Sequence, residues 1–140
     1  MPTSSRFATA VHILTLLAYQ RDEAVTSDYI AASVNTNPVV IRRLLRALAA
    51  GGLVSSVPGT AGGSRLARRP EDITLLDAYA AVEDEALFGR HAQQPNPNCP
   101  VGGRIADLLT PRFDAASDAM RRSLERTTIA SLLADVKRRK

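Results

Sequence analysis

Between Thr26 and Gly52 apolar residues recur twice at helical spacing, with a polar break between the two runs. The first helix is predicted over Ser27–Val34. The Thr26 hydroxyl can cap a free backbone N–H, Val25 and Ile30 are placed as a hydrophobic staple, and Asp28 suits the positive end of the dipole. Val34-Asn35-Thr36 forms a short polar turn, and Asn37-Pro38 restarts the chain as an N-cap followed by proline at the first helical position. Ile41, Leu44, Leu45 and Leu48 then share one stripe at 100° per residue, leaving Val39, Arg42, Arg43 and Arg46 on the opposite face. Gly51-Gly52 supply a left-handed helix end. From there the period changes to two. Leu53–Val57 alternates as a strand, Pro58–Gly63 is turn-forming throughout, and Ser64–Ala67 can return as the second strand. Two short helices and a hairpin in this order predict a mainly α fold with a small β-hairpin wing, a winged helix-turn-helix.

The second helix carries three arginines on its outer face and no acid between Pro38 and Gly52. A surface helix ordinarily mixes the two signs. Arg65, Arg68 and Arg69 add charge beside the hairpin. A basic helix followed by a basic hairpin fits insertion into the major groove of double-stranded DNA, with the wing on flanking phosphates. A solvated basic face is the plain alternative, and a winged-helix module that binds an acidic protein partner is the functional one.

Farther on, Thr74 and Asp77 fit a capping box opening a helix through Val82, followed by Glu83-Asp84-Glu85. Residues 89–100, GRHAQQPNPNCP, read as an irregular loop. Val101, Ile105, Leu108, Phe113, Ala116, Met120 and Leu124 hold one helical phase, which implies a helix about 35–40 Å long. Pro111 removes the bond to the Asp107 carbonyl, so a kink or break is expected there. Thr127 or Thr128 caps a last short helix through Val136. A helix this long on so small a chain is covered most economically by a second copy, which makes Val101, Ile105, Leu108, Phe113, Met120 and Leu124 candidates for a homodimer interface. The alternative is a monomer with this helix folded back over Leu14 and Leu17. The organisation expected is a DNA-binding winged helix over residues 1–83, a connecting loop over 84–100, and the dimerisation and C-terminal helices over 101–140.

Charge sharpens the division. The 140 residues carry a net +4, but residues 1–70 hold eight Lys/Arg against three Asp/Glu, and residues 71–136 hold six against eleven. These cancel, so the terminal KRRK supplies the net charge; it could touch DNA but is read as a solvated tail. The basic half is the one to face DNA. Hydrophobic residues make up 45% and aromatics only 4%, so the core should be mostly aliphatic. One cysteine excludes an intrachain disulfide and favours a reducing, cytoplasmic setting. His12, Thr15 and Gln20 interrupt the apolar run from Phe7 to Tyr19, which therefore reads neither as a secretory signal nor as a membrane span.

NPVVIRRLLRALAA and GGLVSSVPGTAGGSRLARRPEDITLLDAYAAVE resemble the Rrf-type bacterial transcription regulators, the family of IscR and NsrR. NPNCPVGGRI resembles the branch represented by YwnA, which lacks the iron–sulfur ligand set. The resemblance runs from Ser5 to about Val136, and the wing segment is its most specific part. It implies a dimeric winged-helix repressor or activator acting on a near-palindromic operator. Carried over residue by residue, base contacts fall on Val39, Val40, Arg42 and Arg43; Arg46, farther along the helix, and Arg65 on the wing are placed for phosphate. Thr36, Asn37 and Thr60 complete the candidate DNA-facing set. Pro58 is a departure, standing where cluster-binding members carry an arginine before the first wing glycine.

Cys99 is the candidate sensor. It sits at the expected mouth of the long helix, whose dipole would favour the thiolate and its reaction with an oxidant or electrophile; the other reading is a small packing residue. Cluster-binding relatives use three cysteines in this loop, and this chain has one, so no cofactor is expected. His12, His91 and Cys99 have neither the number nor the spacing of a zinc site, and no metal is expected. PGTAGGS lacks the lysine of a phosphate-binding loop, and Cys99 with His91 lacks an orienting third group, so the chain does not read as an enzyme.

Overall fold

Five apolar positions of the first helix form the floor on which the winged helix is built. In the computed structural model, which describes residues 4–83 and 86–139, α1 (Arg6–Tyr19) buries Ala10, Ile13, Leu14, Leu17 and Ala18. That is the i, i+3, i+4, i+7, i+8 spacing of an amphipathic helix. Asp84 and Glu85 of the acidic run, and Lys140 of the basic tail, lie outside the described residues.

The helix-turn-helix follows the sequence closely. Thr26 Oγ1 accepts the Tyr29 N–H at 3.1 Å and opens α2 (Ser27–Val34). Asn35 takes the left-handed conformation, φ 66°, and the Thr36 N–H returns to the Ala31 carbonyl at 3.0 Å. Asn37 Oδ1 then accepts the Val40 N–H at 3.1 Å and starts α3 (Pro38–Ala50), which buries Ile41, Leu44, Leu45 and Leu48. Its left-handed terminus is Gly52 alone, φ 76°; Gly51 is in ordinary backbone space at φ −81°.

Strands β1 (Val54–Val57) and β2 (Gly63–Leu66) pair antiparallel with Val54 opposite Leu66 and Ser56 opposite Ser64. A third segment pairs with β2 at a single residue. The Val25 N–H donates to the Ser64 carbonyl at 2.9 Å, and the Ser64 N–H donates back at 2.8 Å. A one-residue bridge leaves no alternating pattern to detect. Its mark is Gly63, at φ 149°, where a Cβ would lie 2.4 Å from the Val25 carbonyl oxygen.

A single 3₁₀ turn at Pro70–Asp72 leads to α4 (Leu75–Val82), whose Thr74–Asp77 capping box is complete. The last helix, α6 (Ile129–Arg138), is capped by Thr128. It packs on α1, and the Ile129 N–H donates to the Ile73 carbonyl at 2.8 Å. Ile73 and Ile129 are both fully buried. The chain thus divides differently from the expectation, into residues 1–84 with 124–140, and residues 85–123. The C-terminal helix belongs with the winged helix, not with the long helix before it. Apolar spacing tells that a face is buried but not which element buries it.

In residues 85–123 the long helix α5 begins at Ile105 and runs to Glu125, 21 residues, so it is shorter than expected at about 30 Å. Val101 lies in the turn before it. Pro111 does not break it; proline's fixed φ is itself helical. Phe88 stacks on Phe113 with ring centroids 4.9 Å apart, and Arg90 lies over the same ring and donates to Thr110 Oγ1 at 2.6 Å.

Candidate nucleic-acid interface

The outer face of α3 is cationic because its inner face is filled. With Ile41, Leu44, Leu45 and Leu48 committed to the core, Val39, Arg42, Arg43 and Arg46 are exposed, Val39 by 57%. Among the described residues none of the three arginines forms an ion pair. The chain holds no acidic residue between Asp28 and Glu71. Arg42 and Arg46 line a groove of about 520 Å³ between α3 and the wing, together with Ser27 at the start of α2 and Ser56, Pro58 and Gly59 of the hairpin. Arg43 stands apart from that groove. Ser27 and Ser56 had no signal in the sequence, because only the packing of α2 against the hairpin brings them there.

The remaining candidates separate into groups. Thr60 is exposed at the wing tip, and Arg65 on β2 donates from Nη2 to the Asp22 carbonyl at 3.4 Å. Asn37 spends its side-chain oxygen on the helix cap, and Thr36 is half-buried in the turn. Val40 is partly buried against the core, unlike its exposed neighbour Val39. At 100° per residue it lies on the flank of the buried stripe. The arginine run after the wing is also partly neutralised. Arg69 pairs with Asp72 at 3.0 Å and with Glu71 at 3.8 Å, and Arg68 lies 3.8 Å from Asp77. The hydrogen bond and charge of Arg69 hold the Asp72 carboxyl below its ordinary range, and Asp72 raises Arg69 in return.

Of the interface candidates, Leu108 and Val101 are 53% and 68% exposed, and Ile105, Met120 and Leu124 are half-buried. Phe113 has a partner in its own chain, Phe88. No residue of α5 is buried. Cys99 is exposed in the single chain. It also lies in a turn before α5 and not at its first residue. Its thiol pKa is lowered by the backbone N–H groups of Gly102 and Val101, which favours the thiolate.

The fold is a winged helix whose α3 arginines form no ion pair among the described residues. The model of the Rrf2 family, described as iron-dependent transcriptional regulators, matches residues 3–135. The chain belongs to the Rrf2 family. YwnA of Bacillus subtilis, named as an HTH-type transcriptional regulator, is 41% identical over 131 residues, covering 93% of this chain and 96% of that protein. A solved structure of a transcriptional regulator from Lactobacillus plantarum is 30% identical with a TM-score of 0.80, covering 95% of this chain and 90% of that one. Another, of a DNA-binding protein, is 37% identical with a TM-score of 0.76, covering 92% of this chain and 99% of that one. Rrf2 proteins are regulators of transcription, and this member is not an enzyme.

The iron in the family's description does not fit the donors of this member. Among the described residues no three of His, Cys, Asp or Glu come together as a metal site. The single thiol, Cys99, is exposed in the turn before α5. An iron–sulfur cluster is held by several thiolates, and one cysteine cannot supply them. No helix among the described residues is long and apolar enough to cross a membrane.

Proposed function

We propose that this Rrf2 protein is a repressor that binds a near-palindromic operator as a homodimer, with α3 in the major groove and the hairpin along the flanking backbone. The observation that carries the reading is the outer face of α3, where Arg42, Arg43 and Arg46 stand exposed without an ion-pair partner among the described residues. A guanidinium can grip guanine O6 and N7 in bidentate fashion, and Val39 can pack on a thymine methyl. The absence of any buried residue on α5 supports the dimer, since its apolar side chains gain cover from a symmetry mate. The test is binding of the Arg42→Ala and Arg43→Ala proteins to a cognate duplex and to a scrambled one. Each substitution should weaken the cognate site by about 1–3 kcal/mol and relax preference at one base pair per half-site. Equal binding of all duplexes by the parent protein would favour an acidic protein partner for the same face.

Cys99 supplies the switch in this reading. Its amide-held sulfur favours the thiolate, the form that attacks peroxides and electrophiles. A peroxide transfers one oxygen to the sulfur, its O–O bond breaks, and sulfenic acid and hydroxide result. The Cys99→Ser protein should bind the operator normally and lose the parent's response to peroxide. An unchanged response would remove Cys99 from the mechanism.

A further inference from the structure

The wing has two sides, and only one of them faces the recognition helix. The pair Ser56–Ser64 lines the groove with α3, and the adjacent pair Ser55–Arg65 points to the other side, as alternation along a strand requires. On that other side lies a recess of about 490 Å³ floored by Leu17, into which four guanidinium-bearing residues converge: Arg21 from the end of α1, Arg65 from β2, and Arg68 and Arg69 from the segment after it. Asp72 is the one acid in its lining, and its carboxylate is already bound to Arg69 at 3.0 Å. Arg68 leans toward Asp77 at 3.8 Å, whereas Arg21 and Arg65 form no ion pair among the described residues. The Asp22 carbonyl accepts from Arg65 Nη2 and so fixes its guanidinium beside Arg21's loop.

We propose that this recess, centred on Arg21 and Arg65, holds a backbone phosphate of the operator outside the half-site that α3 reads. With Arg69 paired to Asp72 and Glu71 and Arg68 beside Asp77, Arg21 and Arg65 carry the excess positive charge that an anion satisfies, and guanidinium groups match phosphate oxygens in bidentate geometry. The recess shares the hairpin with the α3 groove, so a duplex bound along the wing meets cations on both of its sides. The contact reads no base. It widens the footprint and steepens the salt dependence.

This inference rests on the operator-binding reading, and the experiment separates the two. Affinity of the Arg21→Gln/Arg65→Gln protein is measured against salt on a long duplex, on a scrambled duplex and on one trimmed to the half-sites, beside Arg42→Ala as reference. Both replaced side chains are exposed, and matching melting temperatures with the parent confirm folding. The double variant should bind the long cognate and scrambled duplexes equally less well, by about tenfold per lost phosphate contact near 0.1 M salt, with the salt slope lower by about one per contact. The defect should vanish on the trimmed duplex. Unchanged affinity and slope, with Arg42→Ala still defective, would overturn this inference alone. Failure of the parent to prefer any duplex would overturn the operator reading and this one with it. If inorganic phosphate stabilises the parent but not the double variant while DNA affinity is unchanged, the recess serves a free phosphorylated ligand and the DNA assignment falls.

Discussion

At the level of single residues, the three arginines of α3 are placed differently. Arg42 and Arg46 border the groove with the wing, and Arg43 faces away from it. Arg46 sits a turn beyond the N-terminal part of α3, and in the proposed reading it takes phosphate. Arg46→Ala should therefore weaken binding to every duplex alike and lower the salt slope by about one unit. A change in base preference in that variant would reassign it to direct reading. Cys99 gives a prediction in pH. Hydrogen bonds from the Gly102 and Val101 amides lower its pKa in the folded chain. Alkylation by iodoacetamide should thus reach half its maximal rate below pH about 8.5, the ordinary cysteine value. The sign for stability follows from the unfolded chain binding more protons between the two pKa values. Its contribution is present above the unfolded value and is lost as pH falls through the folded one. Parallel pH profiles for the parent and Cys99→Ser would contradict this.

At the level of elements, the wing and the long helix make opposite demands. The hairpin is held against Val25 through a residue that tolerates no Cβ, since Gly63 stands at φ 149° with the Val25 carbonyl 2.4 Å from where that atom would be. Gly63→Ala should destabilise the fold by about 1–3 kcal/mol, by crowding and backbone strain together, read as a lower denaturation midpoint. An unchanged midpoint would mean that the bridge is dispensable. Helix α5, by contrast, has no buried residue and an apolar set including Ile105, Leu108 and Met120. Leu108→Glu should leave the winged helix folded and abolish self-association in light scattering. A dimer that survives the substitution would show that α5 is not the seam. The elements of the DNA-binding half were legible because local chemistry specifies them: Thr26, Asn37, Thr74 and Thr128 each cap the helix that the sequence assigns to them. Val101 was misplaced, because helical phase continues through the turn that precedes α5.

For the whole molecule, what the sequence left unread is tertiary. It showed a last helix with an apolar face, but its place against α1 and Ile73 depends on contacts far apart in the chain. It showed a run of arginines after the wing, but the pairing of Arg69 with Asp72 and of Arg68 with Asp77 sorts that run into neutralised and unpaired charges only on folding. It likewise showed Arg21 and Arg65 without placing them in one recess. The recognition face is different, since its exposure follows from the period of α3 alone. Its use depends on assembly. One recognition helix spans only a few base pairs, and two related by a two-fold axis address half-sites about 10 base pairs apart. The most direct test is selection of bound fragments from genomic DNA by the parent protein, followed by the mass of the complex on the enriched site. An inverted repeat with half-site centres about one helical turn apart, occupied by two chains, is the predicted result. Fragments no more enriched than random DNA, or a single half-site carrying one chain, would contradict the account.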